Sequence, residues 1–170
     1  MATGFTHLSA VELARLIRGK KAGAVEVLEA HLAAIEKLNP ALNAFCTVAA
    51  DKAREWARAA ERAITQRRKL GPLHGVPVAI KDLTPTAGIR TTWGSTLFAD
   101  HVPIADAEVV ARLKAAGAIV VGKTNTPEFG AGANTVNKLF GATRNPWNPA
   151  LSASGSTGGG AAALACGMVP

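Results

Sequence analysis

The sequence predicts an α/β fold, and three features predict it. Between Asp106 and Val121 a helical pattern ends at Gly117 and passes straight into the apolar run Ala118-Ile-Val-Val121. Helix, glycine and buried strand make half of a βαβ unit. A second short apolar run, Pro77-Val-Ala-Ile80, is bounded by Gly75 and Asp82 and reads as another strand. Three helical patterns occupy most of the first 70 residues. The chain has 170 residues, 48% of them hydrophobic, which suffices for one domain with a real core and argues against disorder. Only 5% are aromatic and none is Tyr, so alanine and valine must fill much of that core.

In chain order, Ser9-Ala-Val-Glu12 reads as a capping box that opens a short helix. Leu8, Val11, Leu13, Leu16 and Ile17 give it a buried stripe, and Gly19 to Gly23 ends it. A second helix spans Ala24 to Leu38, with Val27, Leu28, Leu32, Ile35 and Leu38 on its apolar face. Asn39-Pro40 stops it, because the residue before proline disfavours the helical region. Ala41 to Val48 reads as extended. A third helix covers Ala50 to Ile64, with Trp56, Ala60 and Ile64 at a four-residue spacing and its other face solvated. Along the strand that follows, side chains alternate, so Lys81 and Asp82 point to opposite sides and do not pair with each other. Thr84 to Gly88 is a turn, and Ile89 to Thr92 reads as a short strand. Asp106 is the N-cap of the helix to Gly117; Val109, Val110, Leu113 and Ala116 form its buried face, and Gly117 takes the left-handed position after it. Thr124 to Asn137 is loop-like, and Asn145 to Pro149 contains two Asn-Pro steps, a strong turn signal.

Composition narrows the function classes. The formal net charge is +7. The basic residues are scattered, with small clusters at Lys20-Lys21 and Arg67-Arg68-Lys69 and no aromatic residues among them. That pattern reads as a solvated face, so no nucleic-acid partner is expected. No apolar run approaches a membrane span, and Met1 to His7 lacks the charged-then-apolar pattern of a leader. Cys46 and Cys166 lie far apart, which fits a reduced, cytoplasmic chain. His7, His31 and His101 have no partners at ligand spacing, so neither metal nor cofactor is expected. His74 and Asp82 sit at opposite ends of an extended segment, which rules against a Ser–His–Asp triad there.

Two motifs compete for function. Gly117-Ala-Ile-Val-Val-Gly-Lys-Thr124 fits the phosphate-loop pattern letter for letter. Its context argues against nucleotide binding: Ala-Ile-Val-Val is strand sequence, and Asn125-Thr-Pro127 follows where a helix must begin. Lys123 is then a structural or solvated lysine. The other motif is Leu151-Ser-Ala-Ser-Gly-Ser-Thr-Gly-Gly-Gly-Ala-Ala-Ala-Leu164, a hydroxyl- and glycine-rich loop running into a helix. Such a loop aims backbone N–H groups at whatever lies before it, which suits an anionic group or a developing oxyanion. A lysine ending a buried strand, Lys81, is either a surface lysine or a desolvated base, since burial favours the neutral amine.

Gly75 to Asp82, Asn145 to Pro149 and the Gly/Ser loop together resemble the amidase signature family, most specifically over residues 71–170. The resemblance implies an α/β/α sandwich, a mixed sheet flanked by helices and preceded by a helical segment. On that reading residues 1–170 form one domain incomplete at its C-terminal end, with 1–70 helical and 71–170 the start of the catalytic core. It implies hydrolysis of a carboxamide C–N bond through an acyl-enzyme and a Ser–Ser–Lys triad. Lys81 takes the place of the lysine. Ser156 takes that of the bridging serine, whose preceding peptide bond, from Gly155, is cis in the family. Thr157 keeps a hydroxyl within reach of Lys81, and Gly130 falls where a backbone carbonyl borders the site. Ser154 stands where the family has glycine, placing a β-carbon where the loop is tightest, and Gly160 stands where it has serine. The nucleophilic serine of the family lies about two dozen residues beyond the loop, in an Asp-x-Gly-Gly-Ser segment, past Pro170. The expectations are therefore a small-molecule amide substrate and no activity for these residues alone. A homodimer or a second chain completing the domain is also expected. A related reading is the amidase subunit of a tRNA-dependent amidotransferase, which passes ammonia to a partner; the departures at Ser154 and Gly160 favour a stand-alone amidase over it.

Overall fold

The computed structural model describes residues 2–170; Met1, the first residue of the segment tested for a leader, lies outside them. The capping box forms as expected: the Ser9 hydroxyl accepts from the Glu12 N–H, and the Glu12 carboxylate accepts from the Ser9 N–H at 2.8 Å. It opens α1 (Ala10–Arg18), whose buried residues are Leu13, Ala14 and Ile17. Val11 of the expected stripe is instead exposed, because the stripe that faces the core is narrower than the run of apolar letters.

The helix α2 (Ala24–Leu42) runs through Asn39-Pro40 rather than stopping there. Proline's fixed φ suits a helix, but it forgoes one backbone bond and crowds the carbonyl of Glu36 one turn back. The Asn39 side chain offsets that cost by bonding both backbone groups of Phe45, at 2.7 and 3.0 Å. The helix ends at Asn43, which is left-handed (φ 52°), as a C-terminal stop requires. The extended segment is accordingly shorter than expected, β1 (Phe45–Val48). The third helix, α3 (Ala50–Thr65), buries Ala53, Ala57 and Ala60 and packs on α2.

The central sheet has the order β1-β3-β2. Strands β2 (Pro77–Lys81) and β3 (Ile119–Thr124) are parallel, and β1 is antiparallel to β3, so the sheet is mixed. Every residue of β3 is buried. This strand takes up most of the phosphate-loop pattern, so the backbone there joins the ladder and has no loop to wrap a phosphate. The connecting helix α4 (Glu108–Ala115) begins after Ala107, not at Asp106. The Asp106 carboxylate is engaged elsewhere, accepting from the Ala87 N–H at 2.7 Å and from Lys114 Nζ at 2.8 Å. Lys114 and that backbone contact hold its carboxyl below the usual range even against partial burial. Val110 is buried as expected, whereas Val109 is exposed: a helix this short presents one stripe to the sheet. Gly117 is left-handed (φ 91°), and a side chain there would strike the His74 backbone at 2.8 Å.

Ile89 to Thr92 is not a strand. Its N–H groups bond a turn carbonyl, a distant loop and a carboxylate: Ile89 to Thr86, Thr91 to His101, and Thr92 to Asp82. A two-stranded ribbon, β4 (Val136–Asn137) with β5 (Gly141–Ala142), follows β3. The last helix is α5 (Gly158–Ala165), which contacts all three strands of the central sheet. One core cluster joins buried residues of α1, α2, β1, α3, β3 and α5, with Ala79 of β2 packed against it, and alanine and valine supply much of it. No helix among the described residues is long and apolar enough to cross a membrane.

Candidate active site

Lys81 is the last residue of β2 and is paired in register with Thr124 of β3. Its side chain crosses to the Gly/Ser loop, where Nζ lies 2.8 Å from Ser156 Oγ and 2.9 Å from Thr157 Oγ1. Partial burial pushes the Lys81 amine below its ordinary pKa of 10.5. Asp82 points the other way, as strand alternation predicts, and is fully buried.

The loop owes its shape to its neighbours. The Gly155–Ser156 peptide bond is cis. Thr135 staples the turn at both ends: its N–H donates to the Ser154 carbonyl at 2.9 Å, and its hydroxyl accepts from the Gly158 N–H at 2.9 Å. The Thr126 hydroxyl donates to the Ser156 carbonyl at 3.4 Å. A β-carbon at Gly155 would lie 2.9 Å from the Asn134 backbone, and one at Gly158 would lie 2.5 Å from Thr135 Oγ1. Ser154, which the sequence singled out, is exposed, and its backbone is left-handed (φ 61°). Thr157 is the N-cap of α5, but its hydroxyl faces Lys81 rather than capping the helix. A β-carbon at Gly159 would lie 2.5 Å from the Asn125 nitrogen and 2.7 Å from the Ala44 carbonyl, so α5 lies directly on the ends of β1 and β3. Gly160 has more room, with Thr157 Cγ2 at 3.2 Å from the position of a β-carbon.

Gly130 is left-handed (φ 73°) and lies against Leu83, two residues past Lys81; a side chain there would meet Leu83 at 2.6 Å. His74 bonds the Ala60 carbonyl through Nε2 at 3.0 Å, between α3 and the sheet and away from the hydroxyl loop. Sequence reasoning missed Thr126 and Thr135, which shape the loop. Their only signal was polar residues in a stretch that reads as an irregular connection. It also left Lys123 open between structural and solvated; the structure buries it completely beside Asp82, with Nζ 3.8 Å from Oδ1.

Chemically, an amine with a lowered proton affinity beside a serine hydroxyl is suited to proton transfer: when neutral such an amine can accept a hydroxyl proton, and when protonated it can return one. Ser156 in turn presents its hydroxyl oxygen to whatever group stands on the loop's open side.

Residues 26–170 match the family model for amidases. The chain belongs to the amidase signature family. Among curated relatives of this amidase-family chain, a glutamyl-tRNA(Gln) amidotransferase subunit from Acidothermus cellulolyticus is 44% identical over 95% of the chain and 32% of the relative. A bacterial aryl acylamidase of the family superposes with a TM-score of 0.91 at 37% identity, covering 96% of this chain and 34% of that one. The corresponding glutamyl-tRNA(Gln) amidotransferase subunit from Thermotoga maritima superposes with a TM-score of 0.78 at 34% identity, over 97% of this chain and 33% of that one. The chain thus spans about a third of the length of the relatives it matches.

Proposed function

We propose that the protein to which these residues belong hydrolyses a carboxamide C–N bond, with Lys81 as the base and Ser156 as the bridging hydroxyl. The observation that carries this is the 2.8 Å contact between the two side chains, on an amine whose proton affinity burial has already reduced. In the proposed cycle a nucleophilic hydroxyl gives its proton to Ser156 as it attacks the carbonyl carbon, and Ser156 gives its own to Lys81. The tetrahedral intermediate collapses, the C–N bond breaks, and the proton travels back through Ser156 to the leaving amine. Water then repeats the relay to release the acid. Thr157 keeps the Lys81 amine aimed, Gly155 allows the loop to pass Asn134, and the Gly130 carbonyl borders the substrate. The family resemblance implies a nucleophilic serine beyond Pro170, so residues 1–170 alone are expected to be inactive. The substrate is a small amide, and the setting cytoplasmic. In the full-length protein, Lys81→Ala and Ser156→Ala each lower turnover by about 100- to 10,000-fold, the usual range for losing a positioned base. Turnover near the parent's in a folded Lys81→Ala variant overturns the assignment.

A second reading, favoured by the names of the curated relatives, is the amidase subunit of a tRNA-dependent amidotransferase. The chemistry is the same, but ammonia passes to a partner. The departures at Ser154 and Gly160 do not decide between the two, because both leave the Lys81–Ser156 contact in place. Co-purification with partner subunits, and amide hydrolysis that rises when they bind, supports the second; full activity of the isolated protein supports the first.

A further inference from the structure

The two hydroxyls around Lys81 aim its amine but do not hold the backbone beneath it. That support lies on the opposite face of the sheet. Both oxygens of Asp82 accept from the Thr92 N–H, at 3.1 and 3.2 Å, and Oδ2 also accepts from the Thr92 hydroxyl at 2.5 Å. Lys123 Nζ donates to the Thr84 carbonyl at 2.6 Å, Thr91 Oγ1 at 2.7 Å and Thr86 Oγ1 at 3.2 Å, so its three N–H groups are all engaged. Both side chains are cut off from solvent, with accessibilities of 0% and 1%. The backbone of the same residues continues the ladder: Ile80 pairs with Lys123, Lys81 with Thr124, and the Asp82 N–H donates to the Thr124 carbonyl at 3.0 Å. One residue further on, Asn125 lies under Gly159 of α5. The end of β3 therefore touches the supports of both Lys81 and Ser156.

A buried ion pair is weak grounds for stability, since well-packed apolar residues of the same size often serve as well. What sets this pair apart is its place. It ties the 84–92 loop and the residue after Lys81 to the strand that seats α5. We propose that Asp82 and Lys123 are positioning residues for Lys81, holding the end of β2 so that the Lys81 amine stays against Ser156 and Thr157 and away from water. The inference rests on Lys81 being the base.

The test is the titration of Lys81 itself in the full-length protein, read as the pH midpoint of its labelling by an amine-acylating reagent mapped by mass spectrometry. The variants are Asp82→Asn, Lys123→Met and the double Asp82→Asn/Lys123→Met, each checked for folding by thermal melting. Simple electrostatics raises the midpoint when the Lys123 charge is lost and lowers it when the Asp82 charge is lost, and nearly cancels in the double. Loosening of the strand end hydrates the amine and raises the midpoint in all three. The double removes both charges together and so escapes the cost of one unpaired buried charge that each single variant carries. The expected result is a Lys81 midpoint that rises by about one unit in the double variant, back toward the ordinary value. A folded double variant with the parent's midpoint overturns the inference and leaves the base assignment standing. An ordinary lysine midpoint in the parent overturns both.

Discussion

Lys81, the last residue of β2, and Lys123, the last but one of the parallel β3, stand one register step apart, yet they face opposite sides of the sheet and live in opposite environments. Lys81 is partly open, faces two hydroxyls, and owes its lowered pKa to burial alone. Lys123 is sealed, faces a carboxylate and three threonines, and is pushed by deeper burial down to about 8 even though Asp82 pulls it up. The same burial pushes the Asp82 carboxyl above the usual range, against the contacts from Thr92 and Lys123. Desolvation lowers the proton affinity of both amines, and both contact hydroxyls; what separates them is access, since Lys123 is sealed from solvent and Lys81, the base in the proposed function, is not.

The comparison breaks in a definite order of effects. Lys81→Ala removes the relay and lowers turnover by about 100- to 10,000-fold, with melting almost unchanged because no ion pair is lost. Lys123→Met leaves the Asp82 charge buried without its partner and destabilises by about 3–5 kcal/mol in denaturant titration, far more than Lys81→Ala and more than the double Asp82→Asn/Lys123→Met. If Lys81→Ala proves the more destabilising, the two environments have been assigned the wrong way round. The pH dependence sharpens the same contrast. The folded value of Lys123, about 8, lies below its ordinary 10.5, so between those limits the unfolded chain binds the extra proton. Stability from this group therefore rises as pH goes from about 8 to about 10.5, and Lys123→Met flattens that rise in melts taken across the window.

Smaller effects test the seat on which both lysines depend. Gly159→Ala forces a β-carbon to 2.5 Å from the Asn125 nitrogen and costs about 1–3 kcal/mol by thermal melting. Ser154→Gly relieves a left-handed residue in open surroundings and stabilises by roughly 0.5–1 kcal/mol, with turnover unchanged.

Periodic features were legible in the sequence, and distant hydrogen bonds were not. The capping box at Ser9, the three N-terminal helices and the two core strands follow from local spacing, which the chain repeats every turn or every second residue. The continuation through Pro40 depends on the Asn39 side chain reaching Phe45, and the absence of a strand at Ile89 to Thr92 depends on Asp82 capturing the Thr92 N–H. Neither leaves a mark on periodicity. Lys81 and Ser156 stand 75 positions apart, and no spacing rule joins them; family resemblance pointed to both, and the topology brings them into contact. The burial of Lys123 was hidden because a Gly-Lys-Thr run looks polar on its own. Only the threonines at 84–92, folded back over the strand, make a dry place for an ammonium group.

The most direct measurement is the pH dependence of kcat/KM for amide hydrolysis by the full-length protein and its Lys81→Ala variant. The account predicts that the parent's rate rises along an acid limb as one group loses its proton, with a midpoint below 10.5. In the variant that limb disappears and the rate falls at every pH. A variant that keeps both the limb and the rate contradicts it.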